Sequence, residues 1–127
     1  MDIRCIALDL DRTTLDEHGR LPEENRRALE AAMARGVHVV IASGRPLGSL
    51  PADVLAVPGI EYAVTSNGAA VWQLTTGTCI HRLTMTPHSV EAILDLTKNE
   101  PVDLEIFIRG EAWAAADYVR DQIGRAH

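Results

Sequence analysis

Two carboxylates stand two residues apart at Asp9-Leu10-Asp11, directly after the apolar run Cys5-Ile6-Ala7-Leu8. Such a pair can divide acid–base work. One carboxylate stays ionised as nucleophile or metal ligand, while its neighbour, with a raised pKa, carries a proton. An isolated Asp-x-Asp is also an ordinary solvated turn, where aspartate is common. The strand running straight into it favours chemistry, because acids at a buried sheet edge are costly unless a cation is bound. A second cluster, Ser43-Gly44-Arg45-Pro46, offers a hydroxyl, bare backbone N–H groups and a guanidinium before a helix start. Those groups suit an oxyanion, and equally an ordinary helix cap beside a surface arginine. Ser66-Asn67-Gly68 is a third polar cluster, although a plain hairpin turn is the simpler reading of Asn67-Gly68.

Three strands have to position these clusters. The unalternating apolar run at residues 5–8 suits a strand buried on both faces, with Cys5 as a buried thiol. Leu21-Pro22-Glu23-Glu24 opens a helix, with proline at the first helical position and two glutamates beside the positive end of its dipole. Leu29, Ala32, Met33 and Gly36 keep helical spacing, and Gly36 is a natural stop. Residues 37–42 form a second buried strand, so the unit is βαβ with parallel strands. In residues 47–57, Pro51 predicts a short or restarted helix. Residues 62–65 read as a third strand. Residues 71–74 and 79–83 read as a hairpin closed across Thr76-Gly77. Thr86-Pro87 caps a helix whose buried face is Val90, Ile93, Leu94 and Thr97. Beyond Pro101, residues 104–108 form a strand, Gly110 turns the chain, and residues 111–116 return as a strand or, judged by their alanines, a helix. All three clusters therefore follow strands and gather at the carboxyl edge of one sheet, where open α/β folds place their sites. That convergence argues more strongly than any single motif.

Composition narrows the partners. At 127 residues the chain is one domain or part of one. With 46% apolar and 24% charged residues it is globular rather than disordered. A net charge of −6 disfavours nucleic acid or an anionic membrane. No apolar run approaches the roughly 20 residues of a spanning helix, and Met1-Asp2-Ile3-Arg4 opens no secretory signal. Cys5 and Cys79 are far apart and form no metal-type pair, so a reducing, cytoplasmic setting is expected. The histidines His18, His38, His81, His88 and His127 have no ligand spacing, and Trp72 and Trp113 read as packing residues.

Taken together, Asp9-Leu10-Asp11-Arg12-Thr13 resembles the first motif, Asp-x-Asp-x-Thr, of haloacid-dehalogenase-like phosphatases, and Ser43 resembles their second motif. Ala42-Ser43-Gly44-Arg45-Pro46 followed by Ser66-Asn67-Gly68-Ala69 is similar to the Cof-type sugar-phosphatase branch, and the order of elements matches it over residues 3–84. The resemblance implies a three-layer, Rossmann-like α/β core with a parallel sheet. Residues 1–84 would be its first half, and residues 85–127 the truncated start of an α/β cap. It implies that Asp9 is the nucleophile forming an aspartyl-phosphate, and that Asp11 protonates the leaving group and then activates water. Ser43, with backbone N–H groups at Gly44, would hold the phosphoryl group, and Arg45 and Asn67 would shape the substrate pocket. Mg²⁺ would bridge Asp9, the backbone carbonyl of Asp11 and the phosphate. The expected partner is a small phosphorylated metabolite, with no nucleic acid and no membrane.

Two departures stand out. Arg12 replaces the glycine common in the family and is expected to face solvent or the cap mouth. The family's later lysine and second acidic motif have no counterpart, and Lys98, the only lysine, is a poor substitute. The chain therefore reads as the first half of a longer enzyme, poorly active alone and prone to self-association through an exposed first strand. Two rival readings are a non-catalytic remnant acting through protein contacts and a phosphoacceptor receiver domain. The receiver would need an aspartate where Thr65-Ser66-Asn67 stands.

Overall fold

The computed structural model describes residues 2–114. Strand β1 (Cys5–Leu8) runs into the acidic loop, and helix α1 (Glu23–Ala34) returns the chain to β2 (His38–Ala42). Pro22 occupies the cap position, one residue ahead of the expected place, and Gly36 leaves the helix at φ 82°. As Pro51 predicts, the next segment is broken. A single 3₁₀ turn at Leu47–Ser49 precedes the one-turn helix α2 (Ala52–Leu55), with Pro51 capping it. Then follow β3 (Tyr62–Thr65) and the hairpin β4 (Ala70–Gln73) and β5 (Thr78–Arg82).

The five strands form one sheet in the order β1-β2-β3-β4-β5. The first three are parallel, and β4 and β5 are antiparallel additions. The result is an α/β Rossmann-like fold. It is not a receiver, whose doubly wound order sets the first strand between the second and third, whereas here β2 pairs with both β1 and β3.

Register explains where the core lies. Leu8 pairs with Ile41, Ile41 with Ala63, and Ala63 with Trp72, so these side chains share one face of the sheet. Ile41 and Ala63 are wholly buried there against Leu29 of α1, Val54 of α2 and Leu10 of the acidic loop. The opposite face, with Ala7, Val40, Val64 and Val71, is only half-buried or exposed, because no described helix covers it. The apolar runs that predict burial on both faces are thus buried on one. Cys5 is exposed rather than buried for the same reason, and because β1 is the edge of the sheet formed by the described residues.

Beyond the sheet, Thr86 caps α3 (Pro87–Thr97), its hydroxyl accepting from the backbone N–H of Ser89 at 3.2 Å. β6 (Glu105–Ile108) and β7 (Glu111–Ala114) pair antiparallel, so the alanine-rich return is a strand. Residues 115 and 116 lie outside the described residues. The expected buried face of α3 is not sealed. Ile93 and Leu94 remain exposed at a cleft of about 320 Å³ facing Leu104 and Ile106, and Trp113 is exposed rather than packed. What fixes the hairpin is its tip. The Gly48 N–H donates to the Gly110 carbonyl at 2.8 Å, and Gly110 (φ 89°) lies against Leu47 and the Trp72 ring, where a Cβ would meet both at 3.2 Å. Both the space and the left-handed backbone require glycine at that contact. No described helix is long and apolar enough to cross a membrane.

The outer edge of β1 has no strand partner among the described residues and adjoins the uncovered apolar face. We propose that the 127-residue chain pairs with a second copy along this edge. Sedimentation equilibrium is expected to show concentration-dependent dimers that Ala7→Pro, which removes an N–H from the free edge, abolishes. A monomer at all concentrations would contradict the pairing.

Candidate active site

The parallel register sets the site. With Leu8 opposite Ile41 and Ala42 opposite Val64, the loops that begin at Asp9, Ser43 and Ser66 leave neighbouring strands at the same edge. Adjacent strands lie about 4.8 Å apart, so the three loops are contiguous. Ser43 leaves β2, the middle one of the three parallel strands, its N–H donating to the Val64 carbonyl at 2.9 Å.

The acidic loop is pinned from within. Leu10 is wholly buried, and Thr14 and Leu15 are buried behind it. Because Leu10 points into the core, the flanking Asp9 and Asp11 are left on the solvent side, and both are exposed. Arg12 then takes left-handed backbone (φ 59°, ψ 13°), and the loop closes with the Leu15 N–H donating to the Leu10 carbonyl at 2.9 Å. Two hydroxyls lock it further. Thr14 donates to the Asp9 carbonyl at 2.6 Å, and Thr13 donates to Asp9 Oδ2 at 2.8 Å. Asn25 on α1 donates to the Thr14 carbonyl at 2.9 Å, tying the loop to the helix. Asp9 Oδ1 has no hydrogen-bond partner among the described residues. One oxygen of Asp9 is oriented and the other is available.

Arg45 joins the loops. Its Nε and Nη2 donate to the two oxygens of Asp11 at 2.9 and 2.6 Å, a bidentate ion pair across 34 residues of sequence. Its Nη1 donates to the Ser49 carbonyl at 3.0 Å, its N–H to Ser43 Oγ at 3.2 Å, and its carbonyl accepts from the Ser66 N–H at 2.9 Å. Asn67, at φ 55°, lays its side-chain amide over Gly44. A Cβ there would stand 2.8 Å from Asn67 Oδ1, so a side chain at position 44 would displace this amide. Ser43 is buried, and its hydroxyl, accepting from Arg45, keeps its own proton to donate.

The structure thus brings Asp9, Asp11, Ser43, Gly44, Arg45 and Asn67 to one edge. Sequence reasoning does not single out the two supports, Thr14 and Asn25, since a hydroxyl or amide bonded to backbone leaves no spacing signal. One expectation is reversed. Hydrogen bonds from Arg45 hold the Asp11 carboxyl below its usual range, overcoming the opposing effect of burial, and the charges of Arg45 and Arg12 add to the shift. An acid with a raised pKa is therefore not what this resting geometry presents. A hydrated Mg²⁺ suits the remaining donors. It takes one or two protein oxygens and keeps several waters, and the Asp9 carboxylate and the Asp11 carbonyl are of that kind. No group of three or more potential ligand side chains occurs among the described residues.

Residues 6–125 match the family model for haloacid dehalogenase-like hydrolases. The chain is 31% identical over 96 residues to the 5-amino-6-(5-phospho-D-ribitylamino)uracil phosphatase YcsE of Bacillus subtilis (strain 168), covering 76% of this chain and 38% of that protein. It is 30% identical over 107 residues to the phosphatase YwtE of the same name and organism, covering 83% and 36% respectively. Among solved structures, a haloacid dehalogenase-like hydrolase from B. subtilis superimposes with a TM-score of 0.77 at 26% identity, over 94% of this chain and 42% of the other. The chain therefore spans less than two fifths of the length of these two curated relatives.

In Arg45→Ala the Asp11 pKa, followed by NMR titration, is expected to rise toward the ordinary carboxylate value. Because the folded pKa is lowered, the ion pair contributes stability that is present above the unfolded pKa, near 4, and is lost as pH falls through the folded value. The wild-type chain should lose that increment on acidification, and the variant should have none to lose. An identical Asp11 titration in both proteins would contradict the clamp.

Proposed function

The chain belongs to the haloacid dehalogenase-like hydrolase family, and from that premise we propose that it carries the nucleophile half of a Mg²⁺-dependent, Cof-type phosphatase. Its substrates in this reading are small phosphomonoesters, and it acts through an aspartyl-phosphate. The observation that carries the reading is Asp9, with one carboxylate oxygen held by Thr13 and the other open at the edge shared with Ser43 and Arg45.

In this reading Asp9 Oδ1 attacks phosphorus as the ester P–O bond breaks, and Asp11 gives its proton to the departing alkoxide. Water then attacks phosphorus, Asp11 takes its proton, and the Asp9–phosphorus bond breaks, restoring the Asp9 carboxylate and the protonated Asp11 that began the cycle. Bound Mg²⁺ supplies charge neutralisation between the Asp9 carboxylate and the incoming phosphate. The Ser43 hydroxyl and the bare backbone at Gly44 face the same edge as phosphate donors. Arg45 favours the ionised Asp11 of the second step. In the first step the phosphate dianion competes with Asp11 for the guanidinium. YcsE and YwtE are both named for a phospho-D-ribityl substrate, and a phosphate ester on a polyol is the class we carry to this chain. Residues 85–114, including α3 and the β6–β7 hairpin, are in this reading the beginning of a cap over the site.

A second reading, a non-catalytic remnant acting through protein contacts, draws on the lack of a larger metal-ligand cluster among the described residues. Kinetics separate the two. In the full-length protein Asp9→Asn is expected to abolish Mg²⁺-dependent turnover of an aryl phosphate while the circular dichroism is unchanged. Asp11→Asn should still form phosphoenzyme from this good leaving group, in a burst followed by steady turnover slower by about 10²–10⁴-fold. Retention of more than a few per cent of activity in Asp9→Asn would remove it as nucleophile. Absence of any turnover in the wild type would favour the remnant.

A further inference from the structure

Arg12 takes no part in the steps above, yet it stands in the acidic loop under strain. At φ 59° a residue with a side chain is strained where glycine is not. Strain kept at a site is a reason to look for what the side chain does. Arg45 is already engaged with Asp11 and the Ser49 carbonyl, whereas no carboxylate pairs with Arg12 among the described residues.

The two arginines line a recess of about 580 Å³ beside Asp11, walled on its far side by the turn that holds Asp16, Glu17 and His18. That volume is of the size small ligands fill. The recess also holds acids, of which Asp11 and Asp16 are engaged and Glu17 is turned to solvent. Asp16 Oδ1 accepts from the backbone N–H groups of His18 and Arg20 at 2.9 and 2.8 Å, and Asp16 Oδ2 lies 3.6 Å from Arg20 Nε. Glu17 Oε1 lies 3.6 Å from His18 Nε2. Arg12 is the one cation of the recess without a partner among the described residues, and its charge reaches the Asp11 carboxyl.

We propose that Arg12 binds a second anionic group of the substrate, a carboxylate or a further phosphate, in this recess. The proposal rests on the phosphatase reading and narrows it: the substrate is a polyol phosphate that is also an acid or a bisphosphate. The guanidinium fork suits either group. Because Arg12 is exposed, the contact is salt-sensitive and moderate in strength.

The test measures binding of three probes to the Mg²⁺-loaded full-length protein by calorimetry: ethyl phosphate, 2-phosphoglycolate and ethane-1,2-diyl bisphosphate. The wild type is expected to bind one or both doubly anionic probes about fivefold more tightly than ethyl phosphate, and the preference should shrink as salt is raised. Preference for the carboxylate or for the bisphosphate identifies which group the recess takes. Arg12→Gly suits the backbone and is expected to melt higher while bringing the affinity ratios close to unity, and Arg12→Lys should restore part of the preference. Ratios near unity in the wild type, or ratios that survive Arg12→Gly, would overturn the second-anion site alone. If none of the three probes binds, the phosphatase reading falls and the second-anion site falls with it.

Discussion

One guanidinium holds the site together. Arg45 reaches Asp11 on the first loop, Ser43 and Ser49 on the second, and through its carbonyl Ser66 on the third. With Arg45 and Asp11 side chains 34% and 53% exposed, the pair contributes little to stability, on the order of 0–1 kcal/mol. Its value is geometric. Asp11 stands on a loop anchored inward by Leu10 and Thr14, and a single exposed carboxylate on such a loop has many rotamers. The bidentate fork selects one of them. In the phosphatase reading proposed above, the same contact would couple phosphate binding to proton transfer, because an anion that draws Arg45 away also alters Asp11.

Much of this was legible in the chain. The run from Cys5 to Leu8 followed by Asp9 and Asp11, the proline before α1, the glycine after it, and Pro51 in the broken segment each act through local backbone chemistry. Local chemistry is what a single sequence carries. The convergence of three polar clusters followed from topology alone, since parallel strands end at a common edge. Asn67 was harder. A hairpin turn explains Asn-Gly without any site, and it is the close approach of Gly44 that turns the same residue into part of one.

The parts not legible depend on what packs over a long distance. The ion pair of Asp11 and Arg45 spans 34 residues and leaves no periodicity. Burial of β1 and β2 on both faces, packing of Trp113 and a sealed face on α3 all follow from apolar pattern. The pattern states what a residue would favour, not whether a neighbour is there to cover it. Among the described residues the helices cover one face only, so Cys5 is exposed and the α3 face opens onto a cleft. The β6–β7 hairpin shows the converse. Its strands are almost wholly exposed, yet its tip is fixed on Leu47 and Trp72 through a glycine that no pattern of hydrophobicity marks.

The central claim is that Asp9 is the oxygen nucleophile at phosphorus. Trifluoroberyllate, which mimics a phosphoryl group on a carboxylate, tests it without requiring turnover. With Mg²⁺ present, ¹⁹F NMR of the full-length protein is expected to show bound beryllofluoride in the wild type and in Asp11→Asn, and none in Asp9→Asn. Bound signals that persist in Asp9→Asn, or that never form in a folded wild type, would contradict the account.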